Sequence, residues 1–596
     1  MVDAVQQLTG AEEVVWNLAD LVPSADEASI QIALDEVLSE AQSFAVTYRG
    51  KVAALNATGL AKALKWQGEF AERFGALINF AQLQWTTETT NPAYGALIQK
   101  MQEYASRLEQ ITLFFTLEWT NAPDSTAELL TDPALEPYKH FLAEQRKLRP
   151  YRLSEPEEKI LSEKEVTGRS AWSRFYGQTV SSIQYDFDGK KLPQEAVLRQ
   201  LYNPDRRVRE RAASSITAGL RTQLPTLTYV FNTVLADKAS DDRLRKFPTW
   251  ITSRNVSNEA SDESVQALID TVTSRYDIVA RYYNIKKRLL GLDELYDYDR
   301  YAPLEDADSY YSWDRARDTV LAAFYGFDAQ VGSIAQEFFD KKWIHAPVQP
   351  GKRGGAYASP TVTNIHPYIF VNYSGQGRDV MTLAHELGHG IHMRLSQPRG
   401  YYGAGTPLTT AETASVFAEM MVFNDMMTKE PSVQVKVAML AKKIEDTFAT
   451  VFRQISMNRF EEAIHTHRRT RGELTTQHIT EHWLNTQRAM FQNSVNLRDD
   501  YGIWWSYVSH FISVPGYVYA YAFGELLVMA LLGEYRKQGD SFVPRYIEML
   551  SAGGSDSPIN ITAKAGINLN DPTFWQQGVN MINDMVTQLE GLVEQM

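Results

Sequence analysis

The stretch MTLAHELGHGIH, residues 381–392, holds three of the chain's eleven histidines within eight positions. His385 and His389 are four residues apart with Glu386 directly after the first. On a helix that spacing puts both imidazoles on one face, where they can grip a single zinc ion. Glu386 then stands beside the metal. Water on such an ion is a nucleophile near neutral pH, and a neighbouring carboxylate can take its proton and hand it to a leaving amine. The pattern therefore points to metal-assisted hydrolysis of a peptide bond.

A catalytic zinc takes three protein ligands and keeps a fourth position open. The version with a third histidine, HExxHxxGxxH, does not apply, because His392 occupies the glycine position and Leu395 the third-histidine position. The next acid along the chain is Glu412, in TTAETASVFAEMMVF, and it is the best third ligand. Two other readings stay open: Thr409 and Glu412 have capping-box spacing, and His392 lies on the same face as the histidine pair. Glu419, two turns beyond Glu412, is placed to orient a zinc histidine from behind, and His392 to support or pack against the site. If His392 completed a set of four ligands, the zinc would be structural.

A tetrahedral oxyanion needs donors besides the metal. Candidates lie in WWSYVSHFISVPGYVYAYAFGE, where His510, Tyr517, Tyr519 and Tyr521 are polar tips in an apolar segment. The alternative is an aromatic core helix with satisfied hydroxyls.

These groups must be held by a large helical body. At 596 residues, with 44% hydrophobic and 22% charged residues, the chain can bury a site away from water. Amphipathic spacing predicts long helices over 59–85 and 94–119, and Ser-Glu-Pro-Glu at 154–157 predicts another helix start. The clearest strands are a hairpin near 181–192, around the Asp188-Gly189 turn, and Tyr368–Tyr373 beside the histidine helix, where a peptide strand could add to a sheet edge. We expect an N-terminal helical domain over 1–199 and a catalytic domain over 200–596.

The net charge of −14, without a basic patch, argues against nucleic acid. The absence of cysteine excludes disulfides and thiolate ligands, so any metal is held by His, Asp or Glu. No signal peptide is apparent, so a cytoplasmic location is expected. The apolar run 511–535 contains Pro515, Gly516 and Glu525 and reads as a buried helix, with no membrane span.

Taken together, WNLADLVPS, DRYAPL, GKRGGAY, TLAHELGHGIH, ETASVFAE and HFISVPGYVYAYAFG resemble oligoendopeptidase F, in the family that includes the thimet-type oligopeptidases. The resemblance implies a mainly α-helical, two-lobed body enclosing a deep channel for short peptides, with a small antiparallel sheet near the zinc helix. It implies one zinc per chain bound by His385, His389 and Glu412, with Glu386 as general base. It places His510, Tyr517 and Tyr521 among the groups that contact substrate and stabilise the oxyanion. Gly524 stands where thimet-type members tend to have another tyrosine. A zinc endopeptidase acting on oligopeptides is the expectation. The alternatives are a metallocarboxypeptidase, which would need a cation such as Arg353 or Arg378 for the substrate's free carboxylate, and a peptide-binding protein with structural zinc.

Overall fold

The computed structural model describes residues 8–22, 24–165, 167–304 and 310–596. It is mainly α-helical, with five short strands in two sheets. β1 (Tyr185–Phe187) pairs with β2 (Lys190–Leu192), and β5 (Tyr368–Phe370) lies between β3 (Ile344–His345) and β4 (Tyr357–Ser359). Two compact units form, each from three stretches of chain: Met1–Arg149 with Asp308–Lys429 and Glu534–Asn568, and Pro150–Ala307 with Glu430–Gly533 and Leu569–Met596. Compactness does not follow a single cut near residue 200, because Tyr176, Ile183 and Tyr185 before it share a core with Leu220 and Phe231 after it.

In the first unit, the predicted helices run over Ala57–Thr87 and Pro92–Asn121. Asn56 and Asn91 cap them, accepting from the Gly59 and Ala93 amides, and Pro92 stands at the first turn, where its missing N–H costs nothing. Their apolar faces meet the helix Glu27–Tyr48 around Phe44, Phe70, Phe114, Phe115 and Trp119. The WNLADL segment lies against the three-stranded sheet: Trp16 packs on His345 and Phe370, and Tyr368 donates its hydroxyl to the Asn17 carbonyl at 2.7 Å.

That sheet is mixed, not antiparallel throughout: β4 runs antiparallel to β5, and β3 runs parallel to it. The chain leaves β3, turns back through β4 and returns as β5 between the two, which fixes β5 parallel to β3. β5 therefore has both edges taken, and the outer strands are β4 and β3, the latter flanked by the segment 14–17 through the Ala346 amide to the Val14 carbonyl and the Asn17 amide to the Lys342 carbonyl, each at 2.9 Å.

In the second unit, the hairpin forms as expected. Asp188 and Gly189 both take positive φ (47° and 77°), while Tyr185 and Phe187 are buried on one face. The 511–535 run divides at a turn where Gly516 has φ 75°, and the helix Tyr519–Gln538 is buried from Ala522 to Gly533. Among the described residues, no helix is long and apolar enough to cross a membrane.

Candidate active site

The histidine helix spans Gly377–Ser396. Its N-terminus is fixed by Asp379, whose Oδ2 accepts from the Ser374 and Gln376 amides at 2.8 and 3.1 Å and from the Ser374 hydroxyl at 2.7 Å. The helix Thr413–Lys429 packs against it. Gly388 explains how closely: a Cβ there would lie 2.6 Å from the Ala414 carbonyl oxygen and 2.6 Å from Ser415 Cα. Only a residue without a side chain admits that backbone. Gly390 does the same for the Phe338 ring, with 2.6 Å to its tip.

This approach brings Glu412, at the junction before the second helix, to the histidine pair. Its Oε2 lies 3.3 Å from Nε2 of both His385 and His389, and the three ligand atoms fall within 4.8 Å of one another. The Ser415 hydroxyl donates to the same carboxylate oxygen at 2.7 Å and holds its rotamer. Behind His385, Glu419 Oε2 sits 3.4 Å from Nδ1. A carboxylate there selects the tautomer that leaves Nε2 free to bind a metal.

The electrostatics favour a cation. Burial alone would lower the His385 imidazole, yet the carboxylates of Glu412 and Glu419 outweigh it and push it up to about 10. Burial raises Glu412, and the two imidazoles pull it far below the usual carboxylate range. Two imidazoles and a carboxylate converging on one point fit a divalent ion of the zinc type. Glu386 is only 6% exposed, and burial raises its carboxyl. The Ala358 amide of β4 donates to it, whereas its Oε2 has no hydrogen-bond partner. Glu386 lines the cleft beside the ligand atoms.

His392 does not join the ligand set. Its ring is buried, hydrogen-bonds the Leu550 carbonyl and is pushed down to about 4 by burial with His389 adding, so it is a neutral support one turn beyond His389. The site opens into a cleft of about 680 Å³ in the first unit, walled by β4, the loop 360–363, the helix Ala57–Thr87 and the segment 401–406. The helix is predicted by its own periodicity, but nothing local in the sequence brings it or the segment 401–406 to the site. Contacts at residue separations near 300 leave no local pattern.

His510, Tyr517 and Tyr521 come together within the second unit. His510 Nε2 lies 3.2 Å from the Tyr521 hydroxyl, the two tyrosine rings meet edge to face at 5.2 Å, and Arg254 lies over the Tyr517 ring. Burial lowers the His510 imidazole. Tyr519, the first residue of its helix, points elsewhere: its hydroxyl accepts from the buried Asn258 at 3.0 Å.

Comparison with known proteins gives the family. The description "Peptidase family M3" matches residues 199–581, and "Oligopeptidase F" matches 118–185. The chain is 27% identical to oligopeptidase PepF of Bacillus subtilis (strain 168), over 98% of this chain and 87% of that one. It is 24% identical to an oligoendopeptidase F homolog of Borreliella burgdorferi, over 88% and 90%. Its fold superposes on a crystal structure from Chlamydophila abortus with a TM-score of 0.89 at 22% identity, covering 97% and 98% of the two chains. For the oligoendopeptidase F crystal structure from Enterococcus faecium the TM-score is 0.70 at 20% identity, covering 95% and 99%. With a family match over most of its length and the ligand geometry above, the chain belongs to peptidase family M3 and is a metalloendopeptidase.

Proposed function

We propose that the protein hydrolyses internal bonds of short oligopeptides with a zinc ion held by His385, His389 and Glu412. The convergence of their three ligand atoms within 4.8 Å carries this reading. When bound, zinc supplies a Lewis acid that lowers the pKa of water and polarises a carbonyl. Glu386 accepts the proton of the attacking water and passes it to the leaving nitrogen. Its burial suits a base that must not be fully solvated. Glu419 holds the His385 tautomer, and His392 supports the helix one turn on.

β4 offers the open strand edge for an extended peptide, at the strand whose Ala358 amide also touches Glu386. The His510, Tyr517 and Tyr521 cluster supplies donors for the substrate and the oxyanion. Its internal contacts and the family resemblance support that role. We assign catalysis to the region 200–596, which the match over 199–581 supports.

The test is an internally quenched peptide blocked at both ends. Internal cleavage that stops with a chelator and returns with zinc is expected. Trimming of a free-ended peptide alone would indicate a carboxypeptidase. Zinc binding without cleavage of either would indicate a binding protein.

A further inference from the structure

The cleft has a chemically distinct wall away from the ligand atoms. Three glutamates line the cleft as a whole, Glu72, Glu386 and Glu412, and no lysine or arginine does among the described residues. Glu386 and Glu412 belong to the metal centre. Glu72 reaches in from the helix Ala57–Thr87 and has no part in it.

Glu72 is anchored through one oxygen. The Thr363 hydroxyl and amide both donate to Oε1, the amide at 3.3 Å. The helix and the loop 360–363 are locked together at this level: a Cβ on Gly75 would meet Val362 Cγ1 at 2.7 Å, and Asn79 accepts from Ser359 at 3.1 Å. No lysine or arginine among the described residues pairs with Glu72, and its neighbour Arg73 is engaged by Glu40.

One turn back on the same helix, Gly68 packs against Tyr401: a Cβ there would be in ordinary contact with the Tyr401 Cβ at 3.5 Å. Tyr401 lines the cleft with half of its surface exposed (50%), and its ring is braced edge to face on Tyr402 at 4.9 Å. Burial raises the Tyr401 phenol, and the Glu72 charge adds to the rise, so the two side chains feel each other. A fixed carboxylate beside an exposed aromatic face attracts a cation twice over, by ion pairing and through the ring.

We propose that Glu72 and Tyr401 form a specificity subsite that takes a positively charged side chain, lysine or arginine, of the peptide. The inference rests on the peptidase reading above and names a substrate preference within it.

Binding separates the two claims. Fluorescent peptides blocked at both ends, identical except for Lys, Gln or Glu scanned through each position, are titrated against zinc-loaded Glu386→Gln protein and the Glu72→Gln,Glu386→Gln double variant. At one position Lys should bind about three- to fivefold more tightly than Gln, as expected for a partly solvated ion pair, and Glu more weakly. The preference should shrink in salt and vanish in the double variant, and Glu72→Lys should invert it. Equal binding of Lys, Gln and Glu at every position, or a preference that survives Glu72→Gln, would overturn the subsite. The same peptides with active enzyme test the peptidase reading separately. A Lys preference in binding without any cleavage would defeat that reading and leave the subsite standing.

Discussion

Two pairs of histidines four apart stand on helices of this molecule, and among the described residues only one of them meets a carboxylate in a group of three that could hold a metal ion. His385 and His389 lie in HELGH, and His478 and His482 lie in HITEH on the helix Thr476–Phe491. Around the first pair, carboxylates arrive from a second helix and from the junction before it, and raise His385 to about 10. Around the second, His482 lies 3.1 Å from His467, and burial together with neighbouring basic groups lowers both. His478 is turned to its own helix end, where Nδ1 accepts from the Thr475 amide at 3.4 Å. Among the described residues the second pair belongs to no set of three ligand atoms near enough to share an ion. Spacing puts two imidazoles on one face, but the sign of the surrounding charge decides whether a cation is welcome there.

The largest effect should separate the pairs outright. His389→Ala is expected to lose zinc and lower kcat/KM by more than about a thousandfold, because both the ion and the water it activates go with it. His482→Ala should leave metal content and turnover unchanged. Metal analysis of both variants beside a peptide assay checks this, and loss of zinc from His482→Ala would erase the contrast.

Gly388→Ala attacks the approach of the two helices instead of a ligand. The new methyl meets backbone that cannot rotate away, so a stability loss of about 1–3 kcal/mol is expected, together with weaker zinc binding as Glu412 moves off. Thermal melts with and without zinc would show a smaller zinc-induced rise in Tm than in the parent.

Glu419→Gln should cost less, about ten- to a hundredfold in zinc affinity or activity, since it removes only the carboxylate behind His385. Competition with a graded chelator measures it, and an affinity equal to the parent's would remove Glu419 from the account.

A test of the same rule about surroundings, read in stability and not in activity, lies in the second unit. Glu461 is fully buried with its Oε1 accepting from the Gly516 amide at 2.8 Å. Burial pushes it up to about 8, against the pull of that amide, Arg254 and Lys238. Between its ordinary value of 4.5 and 8 the folded chain holds a proton that the unfolded chain has released. This contribution to stability is complete below the lower value and is lost as pH rises through the upper one. Glu461→Gln should therefore gain Tm relative to the parent as pH goes from 4.5 to 8, and a pH-independent difference would contradict the burial argument.

What could be read in the sequence follows the range of the interactions. Helix periodicity, the Asp188-Gly189 turn and the HExxH face are local, and each appears where the pattern placed it. Glu412 was reachable because it is the next acid after the motif. The parallel pairing of β3 with β5 was not, since it depends on which strand the returning chain inserts between. Nor was Glu72, whose place in the cleft depends on Thr363, nearly 300 residues away. The interleaving of the two compact units along the chain likewise follows from side chains such as Phe231 and Phe460, from separate stretches, choosing one core.

The central claim is that Glu386 moves the proton while the histidines and Glu412 hold the ion. Glu386→Gln keeps the shape and removes the base, so zinc content and turnover of a blocked peptide should be measured on the same preparation. The account predicts one zinc per chain, as in the parent, with kcat lower by about a hundred- to ten-thousandfold. Turnover within a few-fold of the parent with zinc bound would contradict it.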